Sequence, residues 1–252
     1  MKAPAFDYAR PKDVASAVKL LAEGGRPAAG TQSLGPMLNL RVAHPTLLVD
    51  LRGIEELRSV SESESAVTLG ACTSHAQIED RKVPDPTGGM MTSVAASIAY
   101  RAVRNRGTIG GSLAHADPAA DWPTALTLLN AVVLIEGSKG KRETPVESFV
   151  TGIFTTVLAP DELVVALRIP KRSRRARYGY WKFCRKAGEF ANAIGAVLHD
   201  PETNESRAVV GALAGPPRLV DEKTLNVADI GEDAYSRRLH AVALKRALAQ
   251  IQ

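Results

Sequence analysis

Cysteine is almost missing from this chain: its 252 residues include only Cys72 and Cys184. An iron–sulfur cluster and a structural zinc site each normally take four ligands, so this chain's thiols can supply neither. A disulfide framework is excluded as well, and both cysteines read as small core residues. Long apolar runs are also lacking. The longest purely aliphatic stretches, such as Ala131 to Ile135, fall far below the roughly 20 residues a membrane helix needs. No charged-then-apolar leader follows Met1, and the expectation is a cytoplasmic protein with no membrane insertion. Internal repeats and low-complexity tracts are absent. What is present is a hydrophobic fraction of 45%, enough for a sizeable core in one large domain or in two or three packed ones. The net charge of +5 is modest, but eight basic residues and no acidic one fall between Lys171 and Lys186. That excess calls for a local surface rather than a global field.

Periodicity predicts a β-α-β module at the start. Val14, Ala17, Val18, Leu21 and Ala22 recur at helical spacing between Pro11 and the Gly24-Gly25 stop. Short strands are expected at Arg26 to Ala29 and Leu47 to Asp50, with a helical turn at Pro36 to Arg41 between them. Further on, Ser65 to Ala71 reads as a strand, and Ser74 to Lys82, Met90 to Tyr100 and Pro118 to Asn130 read as helices. Gly107 to Ser112 reads as a turn, and Ala131 to Glu136 and Glu162 to Ile169 as strands. The character changes at Pro170. After the basic stretch Lys171 to Arg177, β-type residues at Tyr178 to Cys184, Ala191 to His199 and Arg207 to Leu213 predict a separate antiparallel sheet. A final helix is expected over Asp233 to Gln250, with Ala241, Leu244, Leu248 and Ile251 on its apolar stripe.

Chemistry concentrates in two loops, Ala29-Gly30-Thr31-Gln32-Ser33-Leu34 and Thr108-Ile109-Gly110-Gly111-Ser112, each expected at the end of a strand. Glycine lets backbone come close to a ligand, so that successive N–H groups converge on phosphate oxygens while Thr, Ser and Gln add neutral donors. A pyrophosphate is the natural guest. Either loop alone is more often only a turn; two in one chain improve the functional reading. Neither fits G-x-G-x-x-G or G-x-x-x-x-G-K-S/T, so a Rossmann NAD site and a P-loop are both poorly supported.

An ordered series of segments then resembles the FAD-binding medium subunit of molybdenum hydroxylases, the group containing carbon monoxide dehydrogenase and the xanthine dehydrogenases. The series runs Phe6-Asp7-Tyr8-Ala9-Arg10-Pro11, Ala29 to Leu34, Leu48-Val49-Asp50-Leu51, Val103 to Ser112, Ala114 to Pro123, Asp161-Glu162-Leu163, Lys182-Phe183 and Ala187 to Ala191. The resemblance implies an α+β fold: two α/β FAD-binding subdomains, of the vanillyl-alcohol-oxidase-like kind, at residues 1–60 and 61–170. A C-terminal antiparallel sheet with a helix would occupy 171–252, shortened relative to the family between Pro217 and Asp233. Ala29, Gly30, Thr31, Gln32, Ser33 and Leu34 would form one pyrophosphate cradle, and Thr108, Ile109, Gly110, Gly111 and Ser112 the other. Ile98 would be an apolar cofactor contact and Asp121 a hydrogen-bond partner of the ADP ribose or its surroundings. Leu163 or Val164 would touch the adenine end, Lys182 would approach the flavin ring, and Phe190 would lie over one of its faces. Thr31 stands where many relatives have a second glycine. Gln32 occupies the loop in which related flavoproteins carry a covalently linked His, so FAD is expected to be non-covalent. Partners implied are a large molybdopterin-binding subunit and a small subunit with 2Fe-2S clusters, assembled as a dimer of heterotrimers. No catalytic residue and no metal ligand is assigned to this chain.

Plainer readings compete. His115 alone reads as a polar loop residue, and Asp117 with Asp121 fits capping at a helix start as well as acid–base chemistry. Tyr178, Tyr180, Trp181 and Phe183 among basic residues have the composition of a single-strand nucleic-acid platform. In a strand, however, Tyr178, Tyr180 and Lys182 share one face while Trp181 and Phe183 take the other, so no nucleic-acid partner is expected. The remaining alternative is an autonomous FAD-dependent oxidoreductase, disfavoured by the lack of an acid–base pair for substrate.

Overall fold

The computed structural model describes residues 2–221, 230 and 233–251. The chain starts as expected: β1 (Asp7–Ala9), α1 (Val14–Ala22), β2 (Arg26–Ala28), α2 (Leu34–Asn39) and β3 (Leu47–Asp50), with the strands parallel in the order β1-β3-β2. Asp13 opens α1 by accepting from the Ser16 N–H at 2.7 Å, and Val14, Ala17, Val18 and Leu21 form its buried stripe. The helix stops at Gly24, whose φ of +92° suits glycine. These side chains pack with Val49, Leu51, Ile54 and Leu57 into a small core of their own.

A 3-10 turn (Glu56–Arg58) leads to β4 (Val60–Glu62) and β5 (Ala66–Gly70). Five short helices follow: α3 (His75–Glu79), α4 (Met90–Ala96), α5 (Arg101–Arg104), α6 (Ile109–His115) and α7 (Asp121–Leu128). Next come β6 (Val132–Gly137), β7 (Gly140–Pro145), α8 (Val146–Phe149), the hairpin β8 (Val150–Gly152) and β9 (Thr155–Thr156), and β10 (Leu163–Pro170). The second sheet runs β4-β5-β10-β6-β7 with antiparallel pairing. Helices α3 to α7 are therefore one long insertion between β5 and β6. All eight residues of α7 are buried, because sheet strands and helices cover it on every side.

The third sheet is the antiparallel meander β11 (Arg177–Phe183), β12 (Ala193–Asp200), β13 (Glu205–Gly211) and β14 (Arg218–Val220), and α9 (Ala234–Leu248) lies on one of its faces. Glycines set the closeness of this packing. A Cβ on Gly179 would stand 1.9 Å from the Ala247 carbonyl oxygen, and one on Gly195 2.4 Å from the Leu244 nitrogen. On the opposite face a Cβ on Gly211 would meet Thr124 of α7 at 1.8 Å. Tyr178 and Tyr180 pack into the main core while Trp181 packs under α9, as the two-faced reading of this strand requires.

Three local expectations are corrected. The Gly107 to Ser112 segment is no turn after a strand; it follows α5 and forms the first turn of α6, capped by Thr108. On α9 the expected Leu244 is buried and Leu248 and Ile251 pack against the same core, but Ala241 is only half-buried and the stripe is completed by His240, Ala243 and Ala247. Cys72 is buried, whereas Cys184 is half-exposed beyond the end of β11. Residues 222–229, 231 and 232, which include most of the segment expected to be shortened, lie outside the described residues.

Candidate functional site: two glycine loops in contact

The first loop leaves the C-terminal end of β2 and runs directly into α2. Thr31 takes φ +58°, the left-handed conformation that glycine favours, so the threonine keeps a glycine-type path at a cost of about 1–2 kcal/mol. Its carbonyl accepts from the Gly35 N–H at 2.8 Å, and the Gln32 side-chain amide donates to the Gly30 carbonyl at 2.9 Å. Among the described residues, the N–H groups of Thr31, Gln32, Ser33 and Leu34 donate to no protein acceptor. Four consecutive free donors at a loop-to-helix junction suit an anion.

The second loop is built differently. Its N–H groups are already used: Ile109 donates to Thr73 O at 3.0 Å, Gly110 to Ala71 O at 2.9 Å, Gly111 to Thr108 Oγ1 at 3.1 Å and Ser112 to Thr108 O at 2.9 Å. It contributes shape and the half-buried Ser112 side chain rather than main-chain donors. A Cβ on Gly110 would run into Ala71 at 2.4 Å, which explains that glycine as a packing requirement.

The two loops touch. A Cβ on Gly30 would fall 2.0 Å from the Arg106 carbonyl oxygen and 2.8 Å from the Gly107 Cα, while one on Gly111 would stand 3.7 Å from the Ala29 Cβ. The bare backbone of Gly30 is thus what admits the segment leading into the second loop, whereas Gly111 spares Thr108 Oγ1 of its own loop, 2.7 Å from where its Cβ would stand, and meets Ala29 only at ordinary contact distance. Free donors on one side and a glycine face on the other fit a dinucleotide pyrophosphate.

A second group of predicted residues meets at the start of α7. Asp121 is buried at 7% exposure and accepts from Tyr180 Oη at 2.8 Å and from Lys182 Nζ at 3.0 Å on each oxygen. Lys182 Nζ also donates to Ser97 O at 2.8 Å, which fixes the residue before Ile98. Burial together with the Asp121 charge pushes the Tyr180 phenol well above its ordinary range, so it donates rather than ionises. Asp121 is therefore fully engaged by protein, with its charge at the N-terminal end of a helix. Phe190 sits in the loop after β11 with 62% of its surface exposed. In the same loop Gly188 lies against the Tyr100 ring, whose hydroxyl donates to Ala187 O at 3.2 Å. Leu163 and Val164 are buried, in the small and the main core respectively. A cavity of about 560 Å³, lined by Ser93, Ser97, Arg174, Tyr178, Tyr180 and Lys182 among others, runs beside β11 and does not include the glycine loops.

Sequence reasoning passed over two clusters. Asp50, at the end of β3, is held by Tyr8, by a two-pronged contact from Arg52 at 2.9 Å on each oxygen, and by Arg10 at 3.6 Å; the hydrogen bonds from Arg52 drive its carboxyl far below the usual range. His75 and Trp122, 47 residues apart, share a hydrogen bond beneath the second loop. No local pattern announces either cluster, since the partners meet only through the sheet and helix packing. His115 is the last residue of α6, its ring 5.0 Å from that of Phe154. Among the described residues no group of His, Cys, Asp and Glu could hold a metal, and no helix is long and apolar enough to cross a membrane.

The α+β fold is that of an FAD-binding protein of the oxidoreductase class. A family described as the FAD binding domain in molybdopterin dehydrogenase matches residues 4–172, and the chain belongs to it as an FAD-binding medium subunit of the molybdenum hydroxylases. It is 37% identical over 250 residues to the 6-hydroxypseudooxynicotine dehydrogenase complex subunit alpha of Paenarthrobacter nicotinovorans, covering 94% of this chain and 84% of the relative. With the carbon monoxide dehydrogenase medium chain of Hydrogenophaga pseudoflava it shares 37% identity over 198 residues, 77% of this chain and 69% of the other. A solved carbon monoxide dehydrogenase from the same organism superimposes with a TM-score of 0.92 at 30% identity, covering all of this chain and 98% of the other.

Proposed function

We propose that the chain is the flavin-carrying link in a molybdenum hydroxylase complex, taking electrons from the 2Fe-2S clusters of a small subunit and passing them to an external acceptor. Substrate would be oxidised at molybdenum on a large subunit, and the assembly would be a cytoplasmic dimer of heterotrimers. Bound FAD supplies redox chemistry that accepts electrons singly and releases them singly or as a pair. The residues of this chain bind and orient. Loop 29–34 offers its four free N–H groups to the pyrophosphate, loop 108–112 closes over the same phosphates, and Phe190 and Ile98 provide apolar cover that keeps water from the ring. Lys182, fixed by Asp121 and Ser97, holds a positive charge at the ring end. We also read residues 1–60, 61–170 and 171–252 as the three structural units, with the cofactor between the first two.

The observation that carries this reading is the contact between the loops at Gly30 and Gly107, with unpaired donors at Thr31 to Leu34. The chain's two cysteines support a reading in which the clusters sit on another polypeptide. The test is release of intact FAD into the supernatant by acid or heat. Colourless protein that takes up no FAD on reconstitution would overturn the assignment; flavin left on the denatured chain would overturn only the non-covalent part.

A further inference from the structure

We infer that His75 is a positioning residue for the cofactor: its imidazole, wedged between Trp122 and Gly107, sets how closely the second loop approaches the first and so the width of the pyrophosphate cradle. The inference rests on the FAD reading above and assigns a role within that site.

Four groups lie in one stack. Trp122 Nε1 donates to His75 Nδ1 at 3.0 Å, which requires the tautomer with its proton on Nε2. The Nε2 edge faces Gly107, where a Cβ would stand 2.7 Å away. Past Gly107, the next backbone is that of Gly30, the first loop itself. The His75 main chain fixes the same segment from the other direction, its N–H donating to Gly107 O at 2.9 Å, while Ser74 and Thr108 form a β-bridge. The ring has nowhere to yield, being 5% exposed against a Trp122 that is fully buried. Burial first, and the nearby Arg104 charge second, push the imidazole down to about 4, so it is neutral at physiological pH. A side chain serving only to fill core would be replaceable by any residue of similar volume. Here one ring edge is fixed by a donor and the other bears on the loop.

The 252-residue chain, stripped of flavin and titrated with FAD, supplies the test, with the dissociation constant and the thermal midpoint read for each variant. Gly107→Ala drives a methyl into the fixed ring and is expected to weaken FAD binding about tenfold or more. His75→Asn is shorter, and its carboxamide oxygen can still accept from Trp122. Adding it to Gly107→Ala is expected to return the dissociation constant to within about threefold of His75→Asn alone, a coupling that additive sites do not show. Should Gly107→Ala fail to fold, Trp122→Phe, which removes the indole donor, is expected to weaken FAD several-fold in the native background and not in a His75→Ala background. Wild-type protein that binds FAD while the variants act additively overturns the role of His75 alone. Wild-type protein that takes up no FAD overturns the cofactor reading together with it.

Discussion

Gly30→Ala isolates the central geometric claim, because that glycine is where the loops meet. The added methyl would stand 2.0 Å from the Arg106 carbonyl oxygen and 2.7 Å from its carbonyl carbon. Even a close C–H···O approach needs about 3.3 Å, so the two loops must part by roughly 1.3 Å. Both obstructing atoms are backbone, and no rotamer change relieves them. Gly30 has no positive φ, so the cost is contact rather than torsional strain. Overpacking typically costs about 1–3 kcal/mol, and the upper end applies where backbone must move. If most of that cost falls on the cradle, FAD affinity drops by one to two orders of magnitude, at about 1.4 kcal/mol per tenfold. Gly35→Ala is the control: it lies five residues on, inside α2, where a Cβ meets nothing within 4 Å. There the exchange should stabilise the flavin-free chain by roughly 0.5–1 kcal/mol through helix propensity. FAD titration followed by fluorescence, with thermal melts of the stripped protein, separates the two effects. A Gly30→Ala chain that binds FAD with native affinity and melts at the native temperature would refute the contact between the loops.

Two further outcomes follow from buried charge. Lys182→Met removes the one cation that, among the described residues, pairs with the buried Asp121 carboxylate, an ion pair whose side chains are 12% and 8% exposed, and is expected to destabilise by about 3–5 kcal/mol in chemical denaturation; adding Asp121→Asn should recover much of that loss. Acid should weaken the fold in two stages: His75 falls from an ordinary 6.5 to about 4 on folding, so its contribution, about 3 kcal/mol, is complete above 6.5 and is lost as pH drops toward 4. Asp50, its carboxyl lowered chiefly by Arg52, holds its contribution above the ordinary carboxylate range and loses it only at more acidic pH. Unfolding free energies at pH 7, 5, 4 and 2.5 check the order, and His75→Asn should flatten the first stage alone.

Elements stood out in the sequence where one face had a single kind of neighbour. Helix α1, with a capping Asp13, four buried apolar residues and a glycine stop, could be placed almost to the residue. So could β3 and β11, the latter because its aromatics divide between two cores. Strand β7 could not be seen: Gly140 to Pro145 is polar and exposed, and becomes a strand only by pairing with β6 at the sheet edge. The Gly107 to Ser112 segment was mistaken for a turn for a related reason. Its helical start depends on N–H bonds to Ala71 and Thr73, residues more than 30 positions earlier, which no local pattern encodes. Asp121 and Lys182 were found, but their pairing with each other was not, since 61 residues separate them.

The two glycine loops look alike in sequence and divide the labour in space. In the second, every N–H from Ile109 to Ser112 is used up by the protein, so its glycines serve proximity: Gly110 admits Ala71, and Gly107, just before the loop, admits His75. In the first, the donors stay free, and the backbone is held open by Thr31 in a left-handed conformation, clamped by Gly35 and Gln32. A loop that must present unpaired N–H groups gains no stability from bonding them, so its shape has to be imposed from outside. The Arg106 to Gly107 backbone bears on the first loop at Gly30, and Gly107 in turn lies against the buried His75, which is hydrogen-bonded to Trp122. On the proposed FAD reading, binding chemistry and structural support would reside in different segments: substitutions at Thr31 to Leu34 would act on the donors themselves, whereas those at Gly107, His75 or Trp122 would act only through the spacing they impose.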